Sequence, residues 1–168
     1  EGWSRDDVDS FAVRSQKLAA KARDSGWFDR SVVPIKDENG FMILGRDDFI
    51  KANTDMQALG ALRPSFAGPG GMGYDDVALT KYTHVERINH VHTAGNSSGI
   101  VDGASLILVG NEEAGKDLGL DPRGRVVSIA LTSTDPTIML TGPGPASQKA
   151  LRKAGLTIDD IDLVEINE

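Results

Sequence analysis

The 168 residues of this chain include no cysteine. Disulfides and cysteine-bearing metal sites are therefore excluded, and the composition fits a cytoplasmic protein. Positive charge is also in short supply, with 18 Lys and Arg against 25 Asp and Glu and a formal net charge of −7. Neither nucleic acid nor an anionic membrane surface is expected as the main partner of such a chain. No apolar run approaches the roughly 20 residues a membrane-spanning helix needs, and no signal-peptide pattern is present. What is there is ordinary for a globular protein: 39% hydrophobic and 26% charged residues, enough for one core or parts of two.

Local patterns divide the chain into three regions. In the first, Ser4 is placed to cap a helix, with Asp6 and Asp7 in its first turn. Val8, Phe11, Ala12, Ser15, Leu18, Ala19 and Ala22 follow at helical spacing, and Gly26 ends the helix. Residues 31–35 and 40–44 read as strands joined through Asp37-Glu-Asn-Gly40, a hairpin signal. A short helix is predicted around 54–61, and the run from Gly68 to Gly73 reads as loop. The second region has an α/β pattern. Residues 96–102 form a small-residue loop, and 104–109 is a continuous apolar run typical of a strand covered on both faces. Asn111 caps a helix reaching Leu118, with Gly119 after its end. The third region repeats the grammar, with a strand at 125–132, a helix at about 145–154 stopped by Gly155, and a strand at 161–166. Strand, helix and strand in this order imply a right-handed parallel crossover.

Residue types that could carry chemistry are weighed next. His84, His90 and His92 lie within nine positions, and a His-x-His pair in a strand would put both rings on one face. With Glu86 as the only close acidic candidate the ligand set is incomplete; no metal is expected, and these histidines are assigned bonds to backbone or to a partner surface. Glycines 68, 70, 71 and 73 do not follow a core strand, so they do not make a dinucleotide fingerprint. Ser97 and Ser98 precede their strand and lack a Gly-x-Ser-x-Gly elbow, which argues against a serine hydrolase. The acidic residues cap helices and solvate faces.

Two segments say more. The stretch from His90 to Gly103, HVHTAGNSSGIVDG, holds a TAGN-x-SG loop followed by a DGA segment, and the chain closes on DIDLVEINE, an apolar run ending in Asn-Glu. Ahead of them come SRDDVDSFAVRSQKLAAKARDSGWFDRSVVPI and Arg63-Pro-Ser-Phe66, and between them Gly124-Arg-Val-Val, Asp135-Pro and Thr141-Gly-Pro-Gly-Pro-Ala. Collinear over nearly the whole length, these segments resemble the thiolase family. The resemblance is most like the thiolase subunit of a bacterial fatty-acid β-oxidation complex of the trifunctional type. It implies an α/β thiolase fold, of which this chain would be a central fragment. Residues 1–92 would be the loop domain with a long insertion at about 67–89, 93–121 the closing strand and helix of the N-terminal half, and 122–168 the first strands and helix of the C-terminal half. Glu1 in place of Met, and a final apolar run of internal-strand type, fit that expectation.

The implied reaction is thiolytic cleavage of 3-ketoacyl-CoA by coenzyme A, giving acetyl-CoA and a shortened acyl-CoA through an acyl-cysteine. The family's cysteines and its Gly-His-Pro histidine are not in this sequence, so the chain alone is expected to be inactive. Asn167 matches the asparagine that holds a water in one oxyanion hole. Ser98 matches a loop serine beside the pantetheine arm of coenzyme A, and Ala94 and Phe66 match apolar contacts along that arm. Lys51 stands where many members have Arg near the coenzyme A phosphates, and Ala58 where many have Ser near the adenine; lysine keeps the charge and loses the planar fork. No tightly bound cofactor is implied, with coenzyme A and acyl-CoA as substrates. A homodimer or tetramer is implied, and the 67–89 insertion either docks on a hydratase/dehydrogenase subunit or covers the loop domain, the partner being favoured by its length and apolar content. The competing readings are a biosynthetic acetoacetyl-CoA thiolase and a non-catalytic acyl-CoA or lipid-binding relative.

Overall fold

A computed structural model of the chain describes residues 2–167. It divides into two compact units, Glu1–Asp102 and Gly103–Glu168. The first opens with helix α1, Arg5–Asp24. Its start is the one the sequence signals: the Ser4 hydroxyl accepts from the Asp7 N–H, and the Asp7 carboxylate takes the Ser4 N–H in return. This reciprocal box satisfies two of the donors that a helix start leaves over. The helix closes at Ser25, and Gly26 follows at φ +73°.

The inner line of α1 differs from the apolar spacing. Asp9, Val13, Ala20 and Ala22 are the buried residues, whereas Phe11 and Leu18 are about half exposed. A carboxylate thus takes the innermost place, which apolar periodicity cannot anticipate. Strands β1, Ile35–Lys36, and β2, Met42–Leu44, form an antiparallel hairpin with Ile35 opposite Leu44. Asp37 holds the turn by accepting from the N–H groups of Asn39 and Phe41, with Gly40 at φ +85°. The first strand is shorter than the pattern suggests, starting only after Pro34, which has no N–H to give a ladder.

Helix α2, Met56–Gly60, is capped by Asp55 and packs against α1. The glycine-rich run expected to be loop is instead wound: α3, Ala67–Pro69, leads through a π turn at Gly70–Tyr74 into α4, Asp75–Lys81. Gly73 alone leaves helical geometry, at φ +106°, a value glycine reaches without steric cost. Gly70 is buried beneath a contact between His90 Nε2 and Asp75 Oδ2 at 2.9 Å. That contact ties α4 to the segment leading into residues 91–99.

In the second unit, α5, Glu112–Asp117, starts at its predicted cap, the Asn111 side chain accepting from the Ala114 N–H at 2.8 Å. Helix α6, Pro143–Ala154, begins two residues before the predicted start, with proline in its first turn and Gly155 after its end at φ +70°. The apolar runs at 104–109, 125–132 and 161–166 form no strands among the described residues. The predicted parallel crossover is therefore not formed. Parallel strands need pairing partners and cover on both faces, and here Leu106 and Leu163 are 96% and 90% exposed. Run 125–132 is instead held by α6, Lys149 and Lys153 donating to the carbonyls of Leu131 and Ile129 at 2.9 and 2.6 Å.

A Cβ at position 70 would lie 2.6 Å from both His90 Nε2 and Asp75 Oδ1. Gly70→Ala should therefore break the His90–Asp75 contact and destabilise the first unit by about 1–3 kcal/mol, the usual cost of overpacking. A urea midpoint equal to that of the parent chain would overturn this. The caps generate a second expectation. Hydrogen bonds hold two carboxyls below the ordinary range: that of Asp7 through the Ser4 hydroxyl and then the Ser4 N–H, that of Asp160 through the Thr157 N–H and then its hydroxyl. Folded values below the unfolded one of about 3.9 mean that this stabilisation is complete above about pH 4 and fades as pH falls through the lowered values. Ser4→Ala should raise the Asp7 titration midpoint and leave that of Asp160 in place, as followed by carboxyl NMR.

Candidate functional site

Residues 91–99 form a loop whose shape is set from inside. Thr93 is fully buried, at 0% exposure, and its N–H donates to Asn96 Oδ1 at 2.7 Å. The Thr93 hydroxyl accepts from the Gly95 N–H at 3.2 Å. Asn96 then spends its amide on two acceptors, Asp9 Oδ1 at 2.7 Å and the Val91 carbonyl at 3.1 Å. The other oxygen of Asp9, a residue 1% exposed, accepts from Arg5 Nε at 2.7 Å. Arg5 completes the network by donating through Nη2 to the carbonyls of Leu59, in the last turn of α2, and Leu62, just beyond it. One buried carboxylate thus joins α1, the end of α2 and the loop.

The small residues of the loop answer to close packing. A Cβ on Gly95 would come within 2.5 Å of Leu59 Cδ2 and 2.6 Å of Leu62 Cδ1, and one on Gly99 within 2.2 Å of the Phe49 ring. The loop is closed in by Leu59 of α2, Leu62 just beyond it, and Phe49. Below the same ring the site continues: Lys51 Nζ lies 5.1 Å from the Phe49 ring centre, in cation–π range. The Lys51 N–H donates to the Gln16 side chain of α1 at 2.7 Å. Lys51 and Ala58 line an open groove of about 530 Å³ with Arg23, Ile50, Asn53 and Thr54. Its cations, Lys51 and Arg23, suit it to an anionic ligand, although Arg23 also pairs with Asp24 at 2.8 Å.

Four of the five site residues singled out in the sequence fall in the first unit. Ala94 and Ser98 sit exposed on the loop, and Phe66 is 58% exposed. The Ser65 N–H donates to the His92 carbonyl at 2.8 Å, which brings the backbone beside Phe66 next to the start of the loop. Lys51 is reached from the loop through Phe49. Asn167 belongs to the second unit, at the end of run 161–166, and is exposed. His90 bonds to Asp75, His92 offers its carbonyl to Ser65, and His84 stands edge-on to Tyr82. Among the described residues no three His, Cys, Asp or Glu side chains converge so as to hold a metal ion. Sequence reasoning missed Asp9, Asn96, Gln16 and Phe49. Asp9 had a local signal in its i,i+4 spacing from Arg5 on one face of α1, while Asn96 and Gln16 stand inside the quoted segments, which do not say what they bond.

Comparison with known proteins gives this geometry its relatives. The family description "Thiolase, N-terminal domain" matches residues 1–79, and "Thiolase, C-terminal domain" matches residues 120–168. The 3-ketoacyl-CoA thiolase of Aliivibrio fischeri is 41% identical over 99% of this chain and 39% of its own. The acetyl-CoA acetyltransferase of Syntrophomonas wolfei is 41% identical over 99% of this chain and 37% of its own. The chain thus spans less than half the length of the curated relatives it matches. A crystal structure of the Bacillus anthracis acetyl-CoA acetyltransferase superposes with a TM-score of 0.76 at 33% identity, over 95% of this chain and 36% of that one. The fold is that of thiolases, α/β as the sequence pattern implied. Two thiolase regions matched in order along one chain, together with 41% identity over 99% of it, show that this protein belongs to the thiolase family.

Proposed function

We propose that this chain serves in a 3-ketoacyl-CoA thiolase that cleaves 3-ketoacyl-CoA with coenzyme A in fatty-acid β-oxidation. One observation carries the reading: the Phe49 ring packs against Gly99 of the loop with Ala94 and Ser98 and stands under the Lys51 ammonium, which lines the cationic groove with Ala58. A long ligand with an apolar arm at one end and phosphates at the other fits such a track. The pantetheine arm would lie along Phe66, Ala94 and Ser98, and the phosphates beside Lys51. Coenzyme A would enter as substrate, with no tightly held cofactor.

In the reaction a cysteine thiolate adds to the ketone carbon, the bond between C2 and C3 breaks, and acetyl-CoA leaves as an enolate that takes up a proton. The coenzyme A thiolate then displaces the shortened acyl group from the cysteine. That cysteine is not among these 168 residues. Asn167 would hold the water that donates to the enolate oxygen, where a preorganised donor is worth roughly 3–4 kcal/mol. The assigned division is a loop domain at 1–92, a closing segment of the N-terminal half at 93–121 and the start of the C-terminal half at 122–168. The enzyme would be a cytoplasmic homodimer or tetramer. The 67–89 segment, with Met72, Tyr74 and Val77 exposed, would meet a hydratase/dehydrogenase subunit. The Syntrophomonas wolfei and Bacillus anthracis relatives, both acetyl-CoA acetyltransferases, favour one second reading, synthesis of acetoacetyl-CoA on the same site.

Coenzyme A should bind the 168-residue chain in calorimetry, and Lys51→Ala should weaken binding roughly tenfold, about 1.5 kcal/mol for one charge-assisted contact. Equal affinity would remove Lys51 from the phosphate site. The same chain, having no cysteine, should show no thiolysis of acetoacetyl-CoA; turnover by a pure sample would overturn the acyl-cysteine route.

A further inference from the structure

We infer that Asp9 is a positioning residue for the 93–99 loop, acting through Asn96 and never on the ligand itself. The inference rests on the reading of that loop as the pantetheine contact, and it deepens it. Asp9 is 1% exposed and lies 87 positions from Asn96 in sequence, yet its Oδ1 takes the Asn96 amide at 2.7 Å. The Asn96 side chain has its other contacts inside the loop, to the Thr93 N–H and the Val91 carbonyl. The contact with Asp9 is therefore what ties the loop's internal bonding to a helix.

The chemistry of the pair is directional. Asn96 must present its NH2 to Asp9 and to the Val91 carbonyl, which leaves its carbonyl oxygen for the Thr93 N–H. A carboxylate at position 9 can only accept, so it fixes which way the amide of Asn96 is turned. Arg5 holds the second oxygen at 2.7 Å, so the carboxylate cannot rotate away. Ala94 and Ser98 lie on the stretch whose backbone this arrangement sets. Asp9→Asn keeps the shape and loses the direction: whichever way its own amide turns, it sets a donor against either Arg5 or Asn96.

The test uses the 168-residue chain, two probes and amide hydrogen exchange. In Asp9→Asn, protection of the Thr93 and Gly95 amides should fall while that of α1 and the hairpin persists. The Kd for coenzyme A should rise roughly tenfold, and that for adenosine 3′,5′-bisphosphate, which reaches only the Lys51 groove, should change less than about twofold. The exchanged pair Asp9→Asn with Asn96→Asp keeps the acceptor for Thr93 and restores the bond between positions 9 and 96 and the one to Arg5, while losing the donor to the Val91 carbonyl. It should recover part of the loop protection and of the coenzyme A affinity. Unchanged loop amides in Asp9→Asn would overturn the inference. So would a parallel loss of both probes together with α1 protection, since that is a merely structural role. Loop amides that respond in a chain binding neither probe would support the positioning by Asp9 and sink the coenzyme A reading.

Discussion

A carboxylate that is 1% exposed is the constraint on which the first unit depends. Moving a charge of this kind out of water costs several kcal/mol, and the cost is offset only when each oxygen finds a donor in good geometry. Asp9 meets that condition with one cation and one amide, each at 2.7 Å. The consequence is geometric. Arg5 can serve Asp9 only from the same face of α1, and its remaining donors then reach the end of α2. Asn96 can serve Asp9 only if the loop closes over α1. Three segments far apart in sequence are thus brought to one point by the need to satisfy one charged group.

Local signals were legible wherever a residue's neighbours in sequence are also its neighbours in space. The Ser4 and Asn111 caps, the Asp37–Gly40 turn and the stop at Gly155 all close their hydrogen bonds within four or five positions. The buried face of α1 was misread because apolar periodicity counts Phe11 and Leu18 and gives no weight to Asp9. The run at 68–73 was misread for the converse reason: glycine content signals turns, but Gly70 is there to let His90 and Asp75 approach, and only Gly73 needs a positive φ. Runs 104–109, 125–132 and 161–166 have strand composition. What makes a strand is its pairing, and composition is silent about that.

The loop at 93–99 shows how one sequence feature answers two demands. Its glycines are needed where Leu59, Leu62 and Phe49 approach, whatever ligand lies outside. A loop held this tightly from within has little left to order when a ligand arrives. Preorganisation of that kind lowers the entropic cost of binding. The family resemblance supplied the roles of Ala94 and Ser98. The physical reason those two residues occupy a defined place comes from Asp9, Asn96 and Thr93, whose bonds to one another no motif specifies.

The two units differ in how far they satisfy themselves, and that difference separates binding from chemistry. In the first unit the buried polar groups at the site are paired within the unit, so the proposed coenzyme A track is encoded by contacts already made. In the second, Leu106, Leu131 and Leu163 lie open to water at 96%, 81% and 90% exposure. Apolar runs so exposed gain stability by pairing their edges and covering their faces. Asn167 stands exposed at the end of one such run. The oxyanion role proposed for it requires a donor held within tenths of an ångström. Run 161–166 can supply that precision only as a paired strand, whereas the loop that carries Ser98 has its support in place.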